Sequence, residues 1–343
     1  VRSIQITIKD LAKELGISPS TVSRALKDHP DISKETKRQV NELAERLNYQ
    51  PNNIALSLRQ RKTNTIGVVI PEIIHFFFST VISGIEDIAY KAGYSVIIAQ
   101  SNESYDRELK DTKALFNGKV DGMLISISRE TSDFGHFESL MERGLPLVFF
   151  DRVCDAIITD KIIIDDKEAA DQATQHLIDQ GCRRILHLSG PKSLLIGQQR
   201  LGGYLQALER NKIPVSDELI IDCGHGTEIE AAQKVHEFLQ KYPAFDGVFA
   251  TNDVAAMGAM MALKEKNVKI PEEVAVIGFG NWRFGALTDP PLSTVEQPGY
   301  EMGCEAAKHL IRQIELKDDE SFEATTKILK TRVIPRKSSL RNS

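Results

Sequence analysis

From residue 65 to residue 335, short apolar runs alternate with amphipathic stretches, and that rhythm leaves few folds open. Ile66-Gly67-Val68-Val69-Ile70 is apolar throughout and ends at Pro71, so it reads as a strand buried on both faces, as in a parallel sheet. Helical spacing follows over 79–92, then a strand over 94–99, a helix over 106–117 and a strand over 122–126. A helix over 137–143 and a strand over 147–151 complete a first half. The rhythm restarts after residue 160, with strands over 161–164, 184–188, 219–221, 247–250 and 274–279. Helices over 167–180, 194–210, 228–241 and 253–266 separate them. Repeated β-α units give open sheets with helices on both faces. Two such halves with a cleft between them suit a clamp for a small molecule. A late helix over 302–313 and a strand over 329–333 read as segments crossing back between halves.

Residues 1–50 break this rhythm with three short helices. Thr7 and Asp10 read as a cap and its acidic partner, placing Ile8, Leu11, Ala12 and Leu15 on one face until Gly16 ends the helix. Ser18 caps the next helix with Pro19 at its first position, where the missing N–H loses nothing. Val22, Ala25 and Leu26 turn inward and Thr21 partly so, leaving Ser20, Ser23 and Arg24 outside. Ser33 caps a third helix over 34–47. Two helices joined by a turn this short form a helix-turn-helix, which sets side chains in the major groove of DNA. Arg24 can then make a bidentate contact to a guanine edge. Thr7, Thr21 and Ser23, with lysines and the amides at helix starts, can hold phosphates.

Charge agrees with this division. Residues 1–62 hold 12 Lys/Arg against 7 Asp/Glu, whereas the remainder holds 31 against 41. A basic head on an acidic body implies that the head alone faces a polyanion. Residues 51–64 form a connector in which Asn52 or Asn53 can cap a helix over 54–59, too short to be stable alone in water. Docking on DNA could order it, and an exposed leucine there could wedge into the minor groove.

The four cysteines (154, 182, 223, 304) form no CxxC pair and no metal-ligand spacing with histidine, so they read as reduced thiols in a cytoplasmic protein. No apolar run nears the length of a membrane span, and the start has no signal core. Nucleotide-binding and nucleophile-elbow motifs are absent, so neither an enzyme nor a cofactor is expected.

Several segments together resemble the lactose/galactose repressor family of bacterial transcription regulators, over nearly the whole chain. They are Thr7-Ile8-Lys9-Asp10-Leu11-Ala12, Ser20-Thr21-Val22-Ser23-Arg24-Ala25-Leu26, Leu47-Asn48-Tyr49-Gln50-Pro51-Asn52, Thr251-Asn252-Asp253 and Pro291-Leu292-Ser293-Thr294-Val295. The resemblance implies an all-α helix-turn-helix DNA-binding head (1–50), a hinge helix and linker (51–64), a two-lobed α/β sensor like the periplasmic binding proteins (65–335) and a short tail (336–343). It implies a homodimer on a near-palindromic double-stranded operator, controlled by a small-molecule effector, most often a carbohydrate, with no membrane involved. The base-reading positions match Pro19, Ser20 and Arg24; the minor-groove leucine matches Leu58, with Asn52 and Ala55 in the hinge. Effector positions match Phe77, Phe78, Ser126, Asp151, Arg200, Asn252, Asp253 and Asn281. Gly280 replaces an aspartate that often binds a sugar hydroxyl in the family, so Asn281 or Trp282 is expected to take over that contact. The competing expectation is a stand-alone sugar receptor of the same two-lobed architecture.

Overall fold

The computed structural model describes residues 6–49, 62–74, 76–241, 245–317 and 321–341. The chain divides into two compact units, Val1–Thr63 and Asn64–Ser343.

The first unit contains α1 (Ile8–Leu15), α2 (Pro19–Leu26) and α3 (Lys34–Arg46) around a small core of Leu11, Ala12, Val22, Ala25, Val40, Leu43 and Ala44. Each helix start is capped as the sequence predicts. The Thr7 hydroxyl and backbone N–H both donate to Asp10 Oδ2, at 2.7 and 2.8 Å. Ser18 Oγ accepts from the Thr21 N–H at 3.1 Å, and Ser33 Oγ from the Thr36 N–H at 3.1 Å. Gly16 adopts φ +65°, the left-handed conformation that lets the chain reverse into α2.

The second unit holds two six-stranded sheets. The first contains β1 (Thr65–Ile70), β2 (Ser95–Gln100), β3 (Gly122–Ile125), β4 (Leu147–Phe150), β5 (Lys161–Ile164) and β11 (Thr326–Leu329), in the order β11-β5-β4-β3-β1-β2, all parallel. The second contains β6 (Ile185–Ser189), β7 (Ile220–Asp222), β8 (Gly247–Ala250), β9 (Ala275–Phe279), β10 (Ser293–Glu296) and β12 (Arg332–Ile334), in the order β12-β10-β9-β8-β6-β7. Only β12 is antiparallel to its neighbour. The helices are α4 (Phe76–Lys91), α5 (Tyr105–Asn117), α6 (Gly135–Glu142), α7 (Asp166–Asp179), α8 (Leu195–Arg210), α9 (Glu228–Lys241), α10 (Asp253–Glu265) and α11 (Gly299–Glu315).

Three readings of the sequence need correction. The strand at 161–164 does not open the second half; it pairs with β4 and completes the first sheet. The single strand read at 329–333 is two strands, β11 and β12, one in each sheet, and β10 precedes them unpredicted. The stretch read as a short tail is built into the second lobe. Ser338 and Ser339 are fully buried; Ser338 Oγ donates to the Val276 carbonyl and accepts from the Ser293 N–H, both at 2.7 Å.

The chain therefore passes between lobes three times: from β5 to α7, from β10 to α11 and from β11 to β12. The return of α11 brings it close against α4. A Cβ at Gly303 would lie 2.0 Å from the Val81 carbonyl oxygen, so only glycine allows that approach. Each sheet reverses its strand order at one point, between β1 and β3 and between β6 and β8. In open α/β sheets such points are where ligands bind, outside the carboxyl ends of the strands.

Candidate functional site

In the first unit, packing of Val22 and Ala25 turns the opposite face of α2 outward. Pro19, Ser20 and Arg24 are exposed, Thr7 is exposed beside them in sequence at the start of α1, and Thr21 and Ser23 are half-buried. Arg24 has no ion-pair partner among the described residues, whereas the other described arginines of the unit do: Arg38 with Glu35 and Glu42, and Arg46 with Glu14. A free guanidinium one turn from a capped helix start is the arrangement needed to meet a base edge. Asn52, Ala55 and Leu58 lie outside the described residues.

In the second unit, the carboxyl ends of the two sheets face each other across a cleft of about 530 Å³. Phe77, Phe78, Asp151, Arg200, Asn252, Asp253 and Trp282 all line it. Ser126 and Asn281 do not. Ser126 is fully buried beneath the cleft, its hydroxyl 3.5 Å from Asp151. The Asn281 amide is occupied, donating to Glu296 Oε1 at 3.0 Å and accepting from Arg336 at 2.7 Å.

Asp151 follows β4 directly, in left-handed backbone at φ +59°, and is 8% exposed. Burial pushes its carboxyl up to about 6, against the pull of Arg152 and Arg200 and with added repulsion from Asp166. Arg200 projects from α8. Its Nε donates to Asp166 Oδ1 at 2.7 Å, one terminal nitrogen lies 2.7 Å from the same oxygen as an ion pair, the other terminal nitrogen donates to the Thr251 carbonyl at 2.7 Å, and its guanidinium lies 3.7 Å over the Phe279 ring. Two of its five N–H donors are thus committed. Burial raises the Asp166 carboxyl more than Arg200 lowers it.

Asn252 and Asp253 line the cleft but do local work. Asn252 caps α10 by accepting from the Ala255 N–H at 2.7 Å and donates to the Gly226 carbonyl at 3.2 Å. Asp253 accepts from the Thr294 hydroxyl at 2.6 Å and the Trp282 N–H at 2.5 Å. Burial nevertheless pushes its carboxyl up to about 6.

Among the charged cleft residues that the sequence reading missed, Glu103, Arg129 and Arg152 form one cluster. Glu103 accepts from the Arg129 N–H at 2.8 Å and from Arg152 at 2.8 and 2.9 Å. Burial opposes its ionisation, but Arg152 and the Arg129 amide outweigh it and hold the carboxyl below its ordinary value. Arg129 then bridges the lobes: its side chain donates to the Gly224 carbonyl at 2.9 Å, and its carbonyl accepts from the Ser193 hydroxyl at 3.2 Å. Each of the three lies a few residues beyond the end of β2, β3 or β4, which is the signal that could have found them.

Among the described residues no group of acidic, histidine or cysteine side chains is placed to hold a metal ion. Nor is any described helix long and apolar enough to cross a membrane.

Residues 7–52 match the family described as bacterial regulatory proteins, lacI family, and residues 63–336 match periplasmic binding proteins and the sugar binding domain of that family. The ribose operon repressor of Halalkalibacterium halodurans is 34% identical over 326 residues, covering 94% of this chain and 95% of that protein. The HTH-type transcriptional repressor PurR of Vibrio atlanticus is 33% identical, covering 92% of this chain and 93% of that one. Catabolite control protein A of Priestia megaterium is 32% identical, covering 90% and 92%. Among solved structures, a complex of the transcriptional regulator CelR with cellobiose superposes with a TM-score of 0.73 at 28% identity, over 97% of this chain and 99% of that one. The lac repressor dimer bound to operator and the anti-inducer ONPF has the same fold, with a TM-score of 0.85 at 23% identity over 98% and 100%.

Proposed function

This chain belongs to the lacI family of bacterial regulatory proteins, and from that premise we propose that it is a sequence-specific transcriptional repressor whose operator binding is set by a small molecule held between its α/β lobes. The observation that carries the reading is the outer face of α2, where Arg24 stands exposed and unpaired in the same chain as a two-lobed cleft.

Two copies of the head read the halves of a near-palindromic operator, Arg24 to a guanine and Ser20 beside it, with Pro19 limited to apolar contact because it has no N–H. Thr7, Thr21 and Ser23 stand near enough to helix starts to support phosphate contacts. Leu58 serves as the minor-groove wedge, and Asn52 and Ala55 of the same connector contribute to the DNA contact. The protein works in the cytoplasm, as a homodimer, and catalyses no reaction. In the cleft, Asp151 accepts from ligand hydroxyls while Arg200 donates to them, a pairing suited to a sugar or sugar derivative. Closure of the lobes on that ligand selects one arrangement of the dimer and so couples cleft to operator.

Selection from a random duplex pool with the full-length protein, followed by mobility-shift titration, tests this. A consensus with two-fold symmetry is expected. Arg24→Ala should weaken the selected site by about 1–3 kcal/mol, the worth of a bidentate base contact, and leave random duplex nearly unchanged. No enriched sequence, or equal loss on both duplexes, would overturn the reading.

A further inference from the structure

The second and third passages between lobes meet the second lobe side by side. Glu296 is the last residue of β10, before the chain leaves through Gln297 and Pro298 for α11. Arg332 is the first residue of β12, after the chain returns through Lys330 and Thr331. The two strands are antiparallel, and their register sets Glu296 directly opposite Arg332. Glu296 Oε2 accepts from Arg332 Nε, so one ion pair staples the two passages where they join the lobe. Arg332 is 71% exposed, and a pair so exposed adds little to stability. What it fixes is position.

The other oxygen of the same carboxylate faces the cleft wall. Glu296 Oε1 accepts from the Asn281 side-chain amide at 3.0 Å. Asn281 has φ +49° and follows Gly280 at φ +118°, two successive residues with positive φ that turn the chain into Trp282. Backbone of this kind persists where its surroundings over-determine it. The Asn281 N–H donates to Thr294 Oγ1 at 3.1 Å, and its side-chain carbonyl accepts from Arg336 at 2.7 Å.

Trp282 comes next and lines the cleft. Its N–H donates to Asp253, which also accepts from the Thr294 hydroxyl. Thr294, Asp253 and Arg336 thus hold the turn from within the second lobe. Glu296 does something further, because the carboxylate that grips Asn281 also grips Arg332.

We propose that Glu296 is a positioning residue, which sets Trp282 through Asn281 and ties it through Arg332 to the second and third passages between lobes. The wall around Trp282 is thereby placed relative to the segments that join the lobes, and not by its own loop alone. The relay lies within the second unit and does not depend on DNA binding.

Trp282 is the chain's one tryptophan, so fluorescence of the full-length, ligand-free protein reports on this wall alone. Glu296→Ala should increase the quenching of Trp282 by acrylamide. It should also speed amide hydrogen exchange over 280–282 by about tenfold, the order expected when a hydrogen bond to a charged group is lost. Arg332→Ala, at the far end of the relay, should move both readouts in the same direction, and Arg332→Lys should keep them at the parent values. In the Glu296→Ala background Arg332→Ala should add nothing, as for residues that act through one another. Thermal melts report the folding of each variant. Should Glu296→Ala fail to fold, Glu296→Gln takes its place: it keeps an oxygen for Asn281, loses the charge that holds Arg332, and should match Arg332→Ala. Parent-like quenching and exchange in a folded Glu296 variant overturn the proposal. So do an effect of Glu296→Ala with none from Arg332→Ala, and effects of the two that simply add.

Discussion

Replacing Asp151 with asparagine should make the ligand-free protein more stable, and by an amount that depends on pH. The folded carboxyl sits at about 6, against 3.8 for the free group, and its burial is the main cause. A group whose folded pKa is raised above its unfolded value contributes stability that is whole at low pH and is lost as pH rises through the folded value. A shift of about 2 pKa units corresponds to about 3 kcal/mol in the fully ionised range. An asparagine side chain has no charge to bury, and asparagine tolerates the left-handed backbone at this position. Asp151→Asn should therefore exceed the parent protein by about 3 kcal/mol at pH 7.5, by roughly half of that at pH 5 and by little at pH 4, all from the same linkage. Urea denaturation of the ligand-free protein at these three pH values measures it. At neutral pH the melting temperature should rise by about 5–10 °C. A variant no more stable than the parent at pH 7.5, or one whose gain is equal at pH 5 and pH 7.5, would refute the reasoning. The implication is that Asp151 is kept charged at the expense of the fold, and that ligand hydroxyls recover the loss.

Three further outcomes are expected. Ser18→Ala removes the cap on α2 and should weaken its first turn by about 1 kcal/mol, read as faster amide hydrogen exchange there in the full chain; unchanged exchange would show the cap to be idle. Arg129→Ala removes a charged hydrogen bond across the cleft, worth about 1.5–3 kcal/mol, and should open the lobes enough to enlarge the radius of gyration of the ligand-free protein in small-angle scattering, whereas superimposable curves would count against a clasp. Gly303→Ala drives a methyl into the Val81 carbonyl and should cost roughly 1–3 kcal/mol of stability by overpacking, measured by denaturant midpoint; an unmoved midpoint would mean that α11 can shift freely on α4.

Strands buried on both faces and helices with capped starts were legible in the sequence because their signals are local. The allotment of strands to sheets was not. β5 follows β4 through a connection with no helix, so the broken β-α rhythm looked like a new beginning. Lys330 and Thr331 carry the chain from one sheet to the other, a change of partner invisible to any periodicity. In the cleft, Asp151 and Arg200 were legible from strand ends and the family pattern. Ser126 and Asn281 stand at matching positions yet point elsewhere, because side-chain direction follows the register and the partners of each loop. Arg129 could not be read as a bridge between lobes until both lobes were placed.

The threefold passage between lobes also sets a schedule for the growing chain. The first sheet lacks its edge until β11 at Thr326–Leu329 has been made, and α4 lacks its cover until α11 at Gly299–Glu315. The second sheet waits for β12 and for the buried serines at 338 and 339. Neither lobe can be obtained whole by cutting the gene at one point. The three helices of the first unit need nothing beyond their own residues for their core. At about 5–20 residues per second, the ribosome completes that unit well before either lobe is closed. The part that faces DNA thus comes into being ahead of the part that governs it.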